Sequence, residues 1–390
     1  MRNICLNWQL GNNFGWGLLG LNVFMHWANQ PGIRPLMGAA IKNEQVFMTD
    51  PLRLHAARAA MTESNEFMSR LQPDAQGRVK IKGVVIDAPG AYFPQHELIG
   101  QCNVGRYIFE ETSLKGRLDK LGKYDELLTA SHWNAQLLEA ATGRKAKIIF
   151  EGVDTSLFCP GPRSGLLDPD RFYVFTGGKI EFRKAQDLVL LAFRTFAARH
   201  PDAVLVAAWH SPWPRMAAGF KGKLDHALTL TPQGNLDVAK WTRDNGINPS
   251  QFIDLGPVQN PLMAPILREM DVALQPSRAE ACTNMPAKEA MACAVPVIAG
   301  ANTGMHDLLQ DDNCILLTQQ NLVTLPAGYG QTEGWGESDV DEIISALEFA
   351  YTQRATAAGI GARSRTSLIE RGRNWQTHAR ELQDWILSLA

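Results

Sequence analysis

Short apolar runs alternate with longer helical patterns along this chain of 390 residues. Apolar runs of about four to eight residues between turn-forming residues are typical of buried strands, whereas apolar residues spaced three and four apart are typical of amphipathic helices. An alternation of the two predicts an α/β fold with parallel sheets. The predicted strands are 4–8, 46–49, 82–86, 124–130, 147–150, 172–176, 203–208, 252–255, 272–274, 295–299 and 314–317. The predicted helices are 188–199, 262–270, 339–351 and 375–389, with others after Gly20 and from Pro286.

The pattern is interrupted once, near the middle of the chain. Two prolines and two glycines lie within 160–165, and such clusters are typical of linkers between domains. A chain of this length is also long enough for about two to three domains. We therefore predict one domain at 1–155 and a second at 156–372.

The composition is that of an ordinary globular protein, with 45% hydrophobic and 20% charged residues and a formal net charge of −2. This balance gives no bulk attraction to nucleic acid, so no nucleic-acid partner is expected. The cysteines have neither C-x-x-C nor zinc spacing, which favours free thiols in a reducing cytosol and a cytoplasmic location. Neither a signal peptide nor a membrane-spanning run is predicted.

The stretch 276–296 carries the most informative polar residues. An apolar run precedes it, a helix is predicted from Pro286, and another apolar run follows, so Glu280 and Glu289 lie on either side of a polar turn. The backbone N–H groups of such a turn and of a helix N-terminus attract anions. A diphosphate between two carboxylates that hold hydroxyl groups suits a nucleotide-sugar. The turn residues expected to contact this nucleotide-sugar, the sugar donor, are Thr283, Asn284 and Met285.

A second polar loop follows the predicted strand 172–176. It contains Gly178 and three cations, Lys179, Arg183 and Lys184, just before a helix. Arg binds two phosphate oxygens at once and Lys supplies a compact charge, so the loop predicts a diphosphate clamp. The alternative is a solvated basic loop.

A glycine-rich loop follows the first predicted strand. Gly15, Gly17 and Gly20 match G-x-G-x-x-G, but a dinucleotide site also needs an acidic residue about 20 positions later. Asp50 lies 30 residues past Gly20, so a dinucleotide site is disfavoured. Two interpretations remain open: close backbone approach to a ligand, which glycine permits, and a plain tight turn.

Together these motifs resemble the retaining glycosyltransferases of family 4, also called group 1, which have the GT-B fold. The resemblance covers nearly the whole chain and is strongest from 172 to 308. It implies an α/β architecture of two Rossmann-like domains facing a central cleft. It also implies that a C-terminal helix at about 373–390 crosses back to the N-terminal domain.

The resemblance implies roles for individual residues. Glu280 would lie near the donor sugar, Glu289 would hold the ribose, and Lys184 would bind the diphosphate. The loop with Gly15 and Gly17 would approach the donor phosphates from the other domain. The remaining residues implied at the donor are Gly178, Lys179, Arg183, Pro257 and Val258.

The sequence departs from the family pattern at several positions. Eight residues rather than seven separate Glu280 from Glu289, and Ala185 and Ala294 stand where the family usually has glycine. The first arginine of the family's cationic loop is also replaced, by Gly178 or Lys179 according to the placement of a gap.

Three polar residues of the first half are candidates for contacts with the acceptor. His96 lies in a loop past a strand end, and we assign it to the catalytic set on that basis. Glu110 and His132 are weaker acceptor candidates, and stabilising a turn is the alternative for His132.

No metal ion and no cofactor are expected. Asp168 and Asp170 form an Asp-x-Asp pair, but the pair lies in the linker before a strand and contains a proline. The cationic loop already supplies the positive charge that a metal would bring.

The predicted function is transfer of a hexosyl group from a nucleotide-diphosphate-sugar to an acceptor hydroxyl, with retention, in glycan or glycoconjugate biosynthesis. A glycan, a lipid-linked molecule or a small molecule fits as acceptor, and peripheral membrane contact is compatible with it. The sequence assigns neither donor base, sugar nor oligomeric state. The alternatives are a non-catalytic nucleotide-sugar-binding protein and an epimerase or phosphorylase on the same scaffold.

Overall fold

The computed structural model describes residues 1–389 except 13, 42–44, 90–96, 115, 117, 120, 212, 327 and 329. The described residues form two compact units. The first comprises Met1–Asp154, Gln259–Pro261 and Gly372–Ala390, and the second comprises Thr155–Val258 and Leu262–Arg371.

The first unit is built on a parallel sheet with the strand order β2-β1-β4-β6-β7-β8. Its central strands are buried on both faces and read as apolar runs, as parallel strands usually do. The strands are β1 (Arg2–Asn7), β2 (Ile33–Met37), β4 (Gly83–Asp87), β6 (Cys102–Arg106), β7 (Glu126–Thr129) and β8 (Lys147–Ile148). A separate parallel pair consists of β3 (Arg78–Lys80) and β5 (Glu97–Ile99).

Three helices of the first unit begin at capping side chains that the sequence supplies. The Asp50 carboxylate accepts a hydrogen bond from the Leu52 N–H at 2.8 Å, and the Ser131 hydroxyl accepts one from the Asn134 N–H at 3.1 Å. The helices are α1 (Gly15–Ala28), α2 (Pro51–Ser69), α3 (His132–Thr142) and α11 (Trp375–Ser388). The C-terminal helix α11 packs on α1, where the Trp27 indole donates to the Ala379 carbonyl at 2.9 Å. Among the described residues, no helix combines the length and apolarity needed to cross a membrane.

One predicted strand of the first unit is wrong. Residues 46–49 form no strand; instead the Phe47 N–H donates to the Asn12 side chain at 2.7 Å, beside the glycine-rich loop. The strand that joins β1 is β2, which contains Pro35. Proline is tolerated there because β2 is the edge strand of the sheet.

The second unit has a parallel sheet with the strand order β11-β10-β9-β12-β13-β14. Phe172 and Val174 pack with the helices α4 and α9 in a buried apolar cluster. The strands are β9 (Phe172–Gly177), β10 (Ala203–Ala208), β11 (Phe252–Asp254), β12 (Val272–Gln275), β13 (Val297–Gly300) and β14 (Ile315–Leu317), with an antiparallel pair β15 (Gln320–Asn321) and β16 (Glu337–Ser338). The helices are α4 (Gln186–Arg199), α5 (Pro214–Ala217), α6 (Val238–Asp244), α7 (Met263–Arg268), α8 (Met285–Ala292), α9 (Val340–Thr352) and α10 (Arg354–Glu370).

The strand order reverses direction once in each sheet, between β1 and β4 and between β9 and β12. Ligands of open α/β sheets bind outside the carboxyl ends of the strands at such a switch point. In the second unit the two loops at that place are the cationic loop after β9 and the polar turn after β12. The fold therefore brings together the two loops that the sequence singled out.

Candidate active site

Glu280 is the centre of the polar cluster at the switch point of the second unit. The Lys184 Nζ donates to both of its carboxylate oxygens, at 2.7 and 2.8 Å. The Arg183 guanidinium donates to Oε2 at 2.9 Å, and the Asn284 amide donates to Oε1 at 2.7 Å. Glu280 is only 3% exposed, so a buried carboxylate is held by two cations and one amide.

The surroundings of Glu280 keep it ionised. Burial would raise its pKa, but Lys184 and Arg183 outweigh burial and lower the pKa to about 2. For Lys184, burial lowers the pKa below its ordinary value, and the attraction of Glu280 opposes that change. The cluster is thus a charged, hydrogen-bonded group rather than a neutral one.

Glu181 is a second carboxylate in the cationic loop, which the sequence analysis did not assign. Its oxygens lie 2.5 Å from Arg183 Nη2 and 3.2 Å from Lys179 Nζ. Burial would raise the pKa of Glu181, but Arg183, Lys179 and Lys184 lower it overall. The three cations of the loop therefore face two carboxylates, Glu181 and Glu280. The sequence shows Glu181 within the loop, but not which cations it faces.

The backbone of Glu280 is held by the turn after β13. Its N–H donates to the Thr303 hydroxyl at 2.9 Å, and its carbonyl accepts from the Gly304 N–H at 2.9 Å. A Cβ at Gly304 would lie 2.1 Å from the Cys282 carbonyl oxygen, so only glycine permits this approach. Thr303 was not predicted, because the sequence does not show which turn lies against Glu280.

The residues after Glu280 form the start of α8. The Asn284 side chain accepts from the Ala287 N–H at 3.0 Å and caps the helix, which begins at Met285. Thr283 is half-buried in the preceding turn, and Glu289 is buried on α8 beyond its first turn. One capping residue thus serves both the helix N-terminus and Glu280.

The other residues predicted to contact the donor lie in neighbouring loops at the same edge of the sheet. Gly178 has a φ of 112°, and a Cβ there would lie 3.7 Å from the Lys184 side chain. Lys179 lies 5.9 Å from the centre of the Trp213 ring. Pro257 and Val258 follow β11, past the turn in which the Gly256 N–H donates to Asp254 at 3.0 Å.

Both family glycines that are replaced by alanine keep a left-handed backbone. Ala185 has a φ of 59° and Ala294 a φ of 61°. Ala185 lies between the 3-10 turn Phe182–Lys184 and α4, and Ala294 follows the end of α8. The backbone geometry expected of glycine is therefore retained at both places, at the steric cost of a Cβ.

The buried side chain of Arg278 connects the polar turn after β12 to the cationic loop after β9. Its guanidinium donates to both Asp187 oxygens at 2.9 and 2.7 Å, to Glu337 at 2.7 Å and to the Phe182 carbonyl at 2.6 Å. Lys223 also pairs with Glu337. Burial would lower the pKa of Arg278, but Asp187 and Glu337 raise it. The sequence included Arg278 in the motif without indicating these partners.

In the first unit, the glycine-rich loop forms a tight turn into α1. Gly15 is the first residue of α1, and a Cβ at Gly17 would lie 2.9 Å from the Gly11 carbonyl. A Cβ at Gly20 would lie 2.7 Å from the Trp8 indole nitrogen. Asp50, the acidic residue that was compared with the dinucleotide motif, caps the N-terminus of α2 instead.

The acceptor candidates are also in the first unit. Glu110 lies after β6, and His132 is the first residue of α3, with its ring centre 5.4 Å from that of Phe150. His96 lies outside the described residues. These positions leave the three assignments as predictions.

A polar cluster at the switch point of the first unit was not predicted as a site. The Asp87 carboxylate, at the end of β4, accepts from the Asn7 amide at 2.6 Å and the Tyr124 hydroxyl at 3.0 Å, and it pairs with Lys123 at 2.8 Å. Burial and the Asp87 charge raise the pKa of Tyr124. The only signal in the sequence was the polar residue at the end of an apolar run.

Comparison with known proteins gives a family match in the second unit. Residues 171–325 match the model of the family described as "Glycosyl transferases group 1". The matched segment contains the cationic loop, the turn with Glu280 and the whole of α8.

The curated relatives are named D-inositol 3-phosphate glycosyltransferases. That of Catenulispora acidiphila is 28% identical over 174 residues, which cover 43% of this chain and 38% of the relative. That of Thermomonospora curvata is 26% identical over 265 residues, which cover 58% of this chain and 57% of the relative. The aligned stretches thus span roughly two fifths to three fifths of these relatives.

Solved structures match over the whole chain. Sucrose-phosphate synthase from Thermosynechococcus elongatus has 15% identity and a TM-score of 0.64, covering 100% of this chain and 99% of the other. The Anabaena protein HepE, in complex with UDP and glucose, has 14% identity and a TM-score of 0.66, covering both chains completely. These likenesses show the GT-B fold, and within it residues 171–325 are similar to the group 1 glycosyltransferases.

Proposed function

We propose that this protein transfers a sugar from a nucleotide-diphosphate-sugar to an acceptor hydroxyl, with retention of the anomeric configuration. The observation that carries the proposal is the cluster of Lys184, Arg183 and Glu280 at the switch point between β9 and β12. It supplies cations for a diphosphate and a carboxylate for sugar hydroxyls in one place.

Uridine diphosphate is the donor nucleotide we propose. HepE, which shares the fold, is described in complexes with UDP and glucose and with UDP-glucose. The curated relatives are named for D-inositol 3-phosphate, a polyol phosphate, and this supports a hydroxyl of a polyol or glycan as acceptor.

In the reaction, the acceptor oxygen forms a bond to the anomeric carbon while the bond from that carbon to the diphosphate oxygen breaks. The electron pair of the broken bond leaves with the diphosphate, and the acceptor proton passes to a departing phosphate oxygen or to water. Lys184 and Arg183 stabilise the charge that develops on the diphosphate, and the N-terminus of α8 adds its dipole.

Donor binding requires an exchange of partners at Glu280. Lys184 and Arg183 are both paired with this carboxylate. A diphosphate competes for the two cations and releases the Glu280 carboxylate from them. It is then free to accept hydrogen bonds from the donor sugar, while Glu289 holds the ribose.

We further propose that no divalent metal ion is needed. Lys179, Arg183 and Lys184 place three positive charges within one loop, where metal-dependent enzymes use a cation. Transfer should therefore proceed at an unchanged rate in an excess of EDTA.

The first test is the substitution Lys184→Met, with Lys240→Met as the control. Lys240 is exposed on α6 and pairs with Asp244, so it matches the charge removed but lies outside the site. We expect Lys184→Met to lower kcat for UDP release by roughly 10²- to 10³-fold, as the loss of one charge-stabilising donor does in other enzymes. The control should keep the wild-type rate.

Two further measurements decide between the alternatives. UDP, GDP and ADP are compared by thermal shift, and UDP at one hundred times its Kd should stabilise the fold by about 2.7 kcal/mol. The anomeric proton coupling of the product, read by NMR, reports retention or inversion.

Two outcomes would contradict the proposal. Binding of UDP-glucose without release of UDP, with every polyol and glycan acceptor tried, would favour the non-catalytic binding protein. A UDP affinity of Lys184→Met equal to that of the wild type would refute the assigned diphosphate site.

A further inference from the structure

A cavity lies in the second unit, at the edge of the sheet opposite to the candidate active site. It has a volume of about 310 Å³ and is lined where β9, β12 and β13 begin, by Phe172, Met270, Asp271 and Pro296 among others. The candidate active site lies at the carboxyl ends of these same strands. The cavity is therefore separated from it by the length of the strands and is a different place on the molecule.

The cavity is rich in arginine. Arg163, Arg268 and Arg354 line it, and Asp271 is the one acidic residue of the lining. The Asp271 oxygens are already used, since one lies 2.8 Å from Arg163 Nη2 and the other accepts from the Tyr173 N–H at 2.8 Å. The lining thus carries three positive charges against one negative charge that is hydrogen-bonded.

The arginines are held in place by contacts that leave guanidinium N–H groups for a ligand. Arg268 donates through Nε to the Cys159 carbonyl at 2.8 Å and through Nη2 to the Leu157 carbonyl at 3.1 Å. The Arg354 guanidinium carbon lies 5.0 and 5.1 Å from the ring centres of Phe172 and Tyr351, and its Nη2 lies 3.9 Å from the Asp202 carboxylate. A guanidinium held by aromatic rings and one distant carboxylate keeps part of its N–H edge for a ligand.

A helix terminus adds to this charge. Arg354 is the first residue of the 17-residue helix α10, and Ala358 of its first turns also lines the cavity. The N–H groups of a first helical turn lack partners within the helix and carry partial positive charge. Arg268 at the end of α7 and Cys293 at the end of α8 also line the cavity, and helix C-termini carry partial negative charge, so the preference for an anion comes from the arginine side chains.

We propose that this cavity binds a small phosphorylated metabolite at a site separate from the donor site. A volume of about 310 Å³ is at the lower end of the range of small-ligand pockets, which suits a phosphate group with a compact body. Arginine forks match phosphate oxygens in pairs, and Phe172 gives the body an apolar wall. The ends of α8 lie at the two sites, since Asn284 caps its beginning and Cys293 at its end lines the cavity.

The test is a calorimetric titration of the full chain with inorganic phosphate and with glucose 6-phosphate, with and without saturating UDP. Saturating UDP occupies the cationic loop, so that the phosphate probes cannot bind there. The variants then show whether the probes bind in the cavity. The double variant Arg163→Met/Arg354→Met should weaken glucose 6-phosphate binding at least tenfold. Arg243→Met, which removes an exposed arginine of α6 in the same unit, should not change it.

A second variant guards against a folding defect. Ala358→Glu adds a negative charge at an exposed position of α10 on the cavity wall, and it should also weaken binding at least tenfold. If inorganic phosphate binds with the same affinity as glucose 6-phosphate, only the anion is recognised. That result would overturn the proposal that the ligand is a phosphorylated metabolite. Unchanged affinity in both variants, or no binding to the wild type, would overturn the site. UDP binding in the variants reports separately on the donor site.

Discussion

At the scale of single residues, the site is defined by buried charges that neutralise one another. Taking a carboxylate and an ammonium out of water costs several kcal/mol per ion, and only close partners offset it. Glu280 has three partners within 2.9 Å, counting Lys184, Arg183 and Asn284. Such an arrangement fixes the positions of the groups that the proposed reaction needs.

This balance predicts a pH effect on stability that can be traced to Glu280. Its pKa is about 2 in the folded chain, against an ordinary value of 4.5. The unfolded chain therefore binds the proton first as pH falls, and the contribution of Glu280, on the order of 3 kcal/mol at neutral pH, is lost from about pH 4.5 downwards. Between pH 5.5 and 3.5 the loss should be about 1 kcal/mol.

Urea unfolding of wild type and Glu280→Gln at the two pH values measures this loss. The wild type should lose about 1 kcal/mol more than Glu280→Gln, which lacks the titrating group. Glu370→Gln, at an exposed position on α10, should behave like the wild type. Parallel pH dependence in wild type and Glu280→Gln would show that Glu280 does not titrate with a lowered pKa.

The sequence could indicate Glu280 and Lys184 because each stands in a motif with fixed neighbours. It could not indicate Glu181 as the partner of Lys179, or Thr303 as the partner of the Glu280 backbone. Contacts such as the latter join residues more than twenty positions apart, and they exist only once the loops after β12 and β13 lie side by side.

At the scale of elements, Arg278 holds together segments that come from different parts of the chain. It joins the loop after β12 to Asp187 at the start of α4 and to Glu337 in β16. Its side chain is completely buried, so its five N–H groups depend on these partners. We infer that Arg278 positions Lys184 and Glu280 without contacting the substrate.

Arg278→Lys tests this positioning role. Lysine keeps the charge but not the bidentate geometry, so Asp187 or Glu337 loses a partner in a buried place. We expect kcat/KM to fall by roughly 10- to 100-fold, as small misplacements of catalytic groups do, and the free energy of unfolding to fall by about 1–3 kcal/mol.

The control is Arg199→Lys, because Arg199 is an exposed arginine that also pairs with a glutamate, Glu348, at 3.2 Å. Exposed pairs contribute little, so this change should leave both rate and stability close to wild type. Retention of full activity in Arg278→Lys, despite a measured loss of stability, would mean that the residue is structural only.

Element prediction succeeded where apolar runs were long and failed where packing overrode the local pattern. Strands such as β10, over Ala203–Ala208, were predicted to the residue. The helix α10 was missed because Gly359 and Gly361 weaken its pattern, yet a Cβ at Gly361 would lie 2.2 Å from the Ala294 carbonyl. Glycine is needed there for close packing against the end of α8, which a local pattern does not show.

At the scale of the whole molecule, the two units differ in how the chain builds them. The first unit takes in both the first and the last described segments, joined by a parallel bridge between Val153 and Asn374 and by a bond of 2.7 Å between His378 Nδ1 and the Phe150 carbonyl. The second unit is formed by Thr155–Val258 and Leu262–Arg371 and contains the proposed diphosphate contacts. The alternation of strands and helices was enough to predict two parallel sheets, because it repeats on both sides of the linker.

The division predicts that a defect in α11 is felt in the first unit only. Leu382 is buried on α11, so Leu382→Ala leaves a cavity and should cost about 2–5 kcal/mol of that unit's stability. Leu387→Ala on the same helix is the control, because Leu387 is 41% exposed and its truncation should cost less than about 0.5 kcal/mol.

Hydrogen exchange of the full chain measures both units at once. In Leu382→Ala, protection of β1 and α1 should fall, while protection of β9, β12 and α8, and its increase with UDP, should stay as in the wild type. Equal loss of protection in both units would show that they unfold as one cooperative body, since the stability of α11 would then be shared across the boundary at 154 and 155.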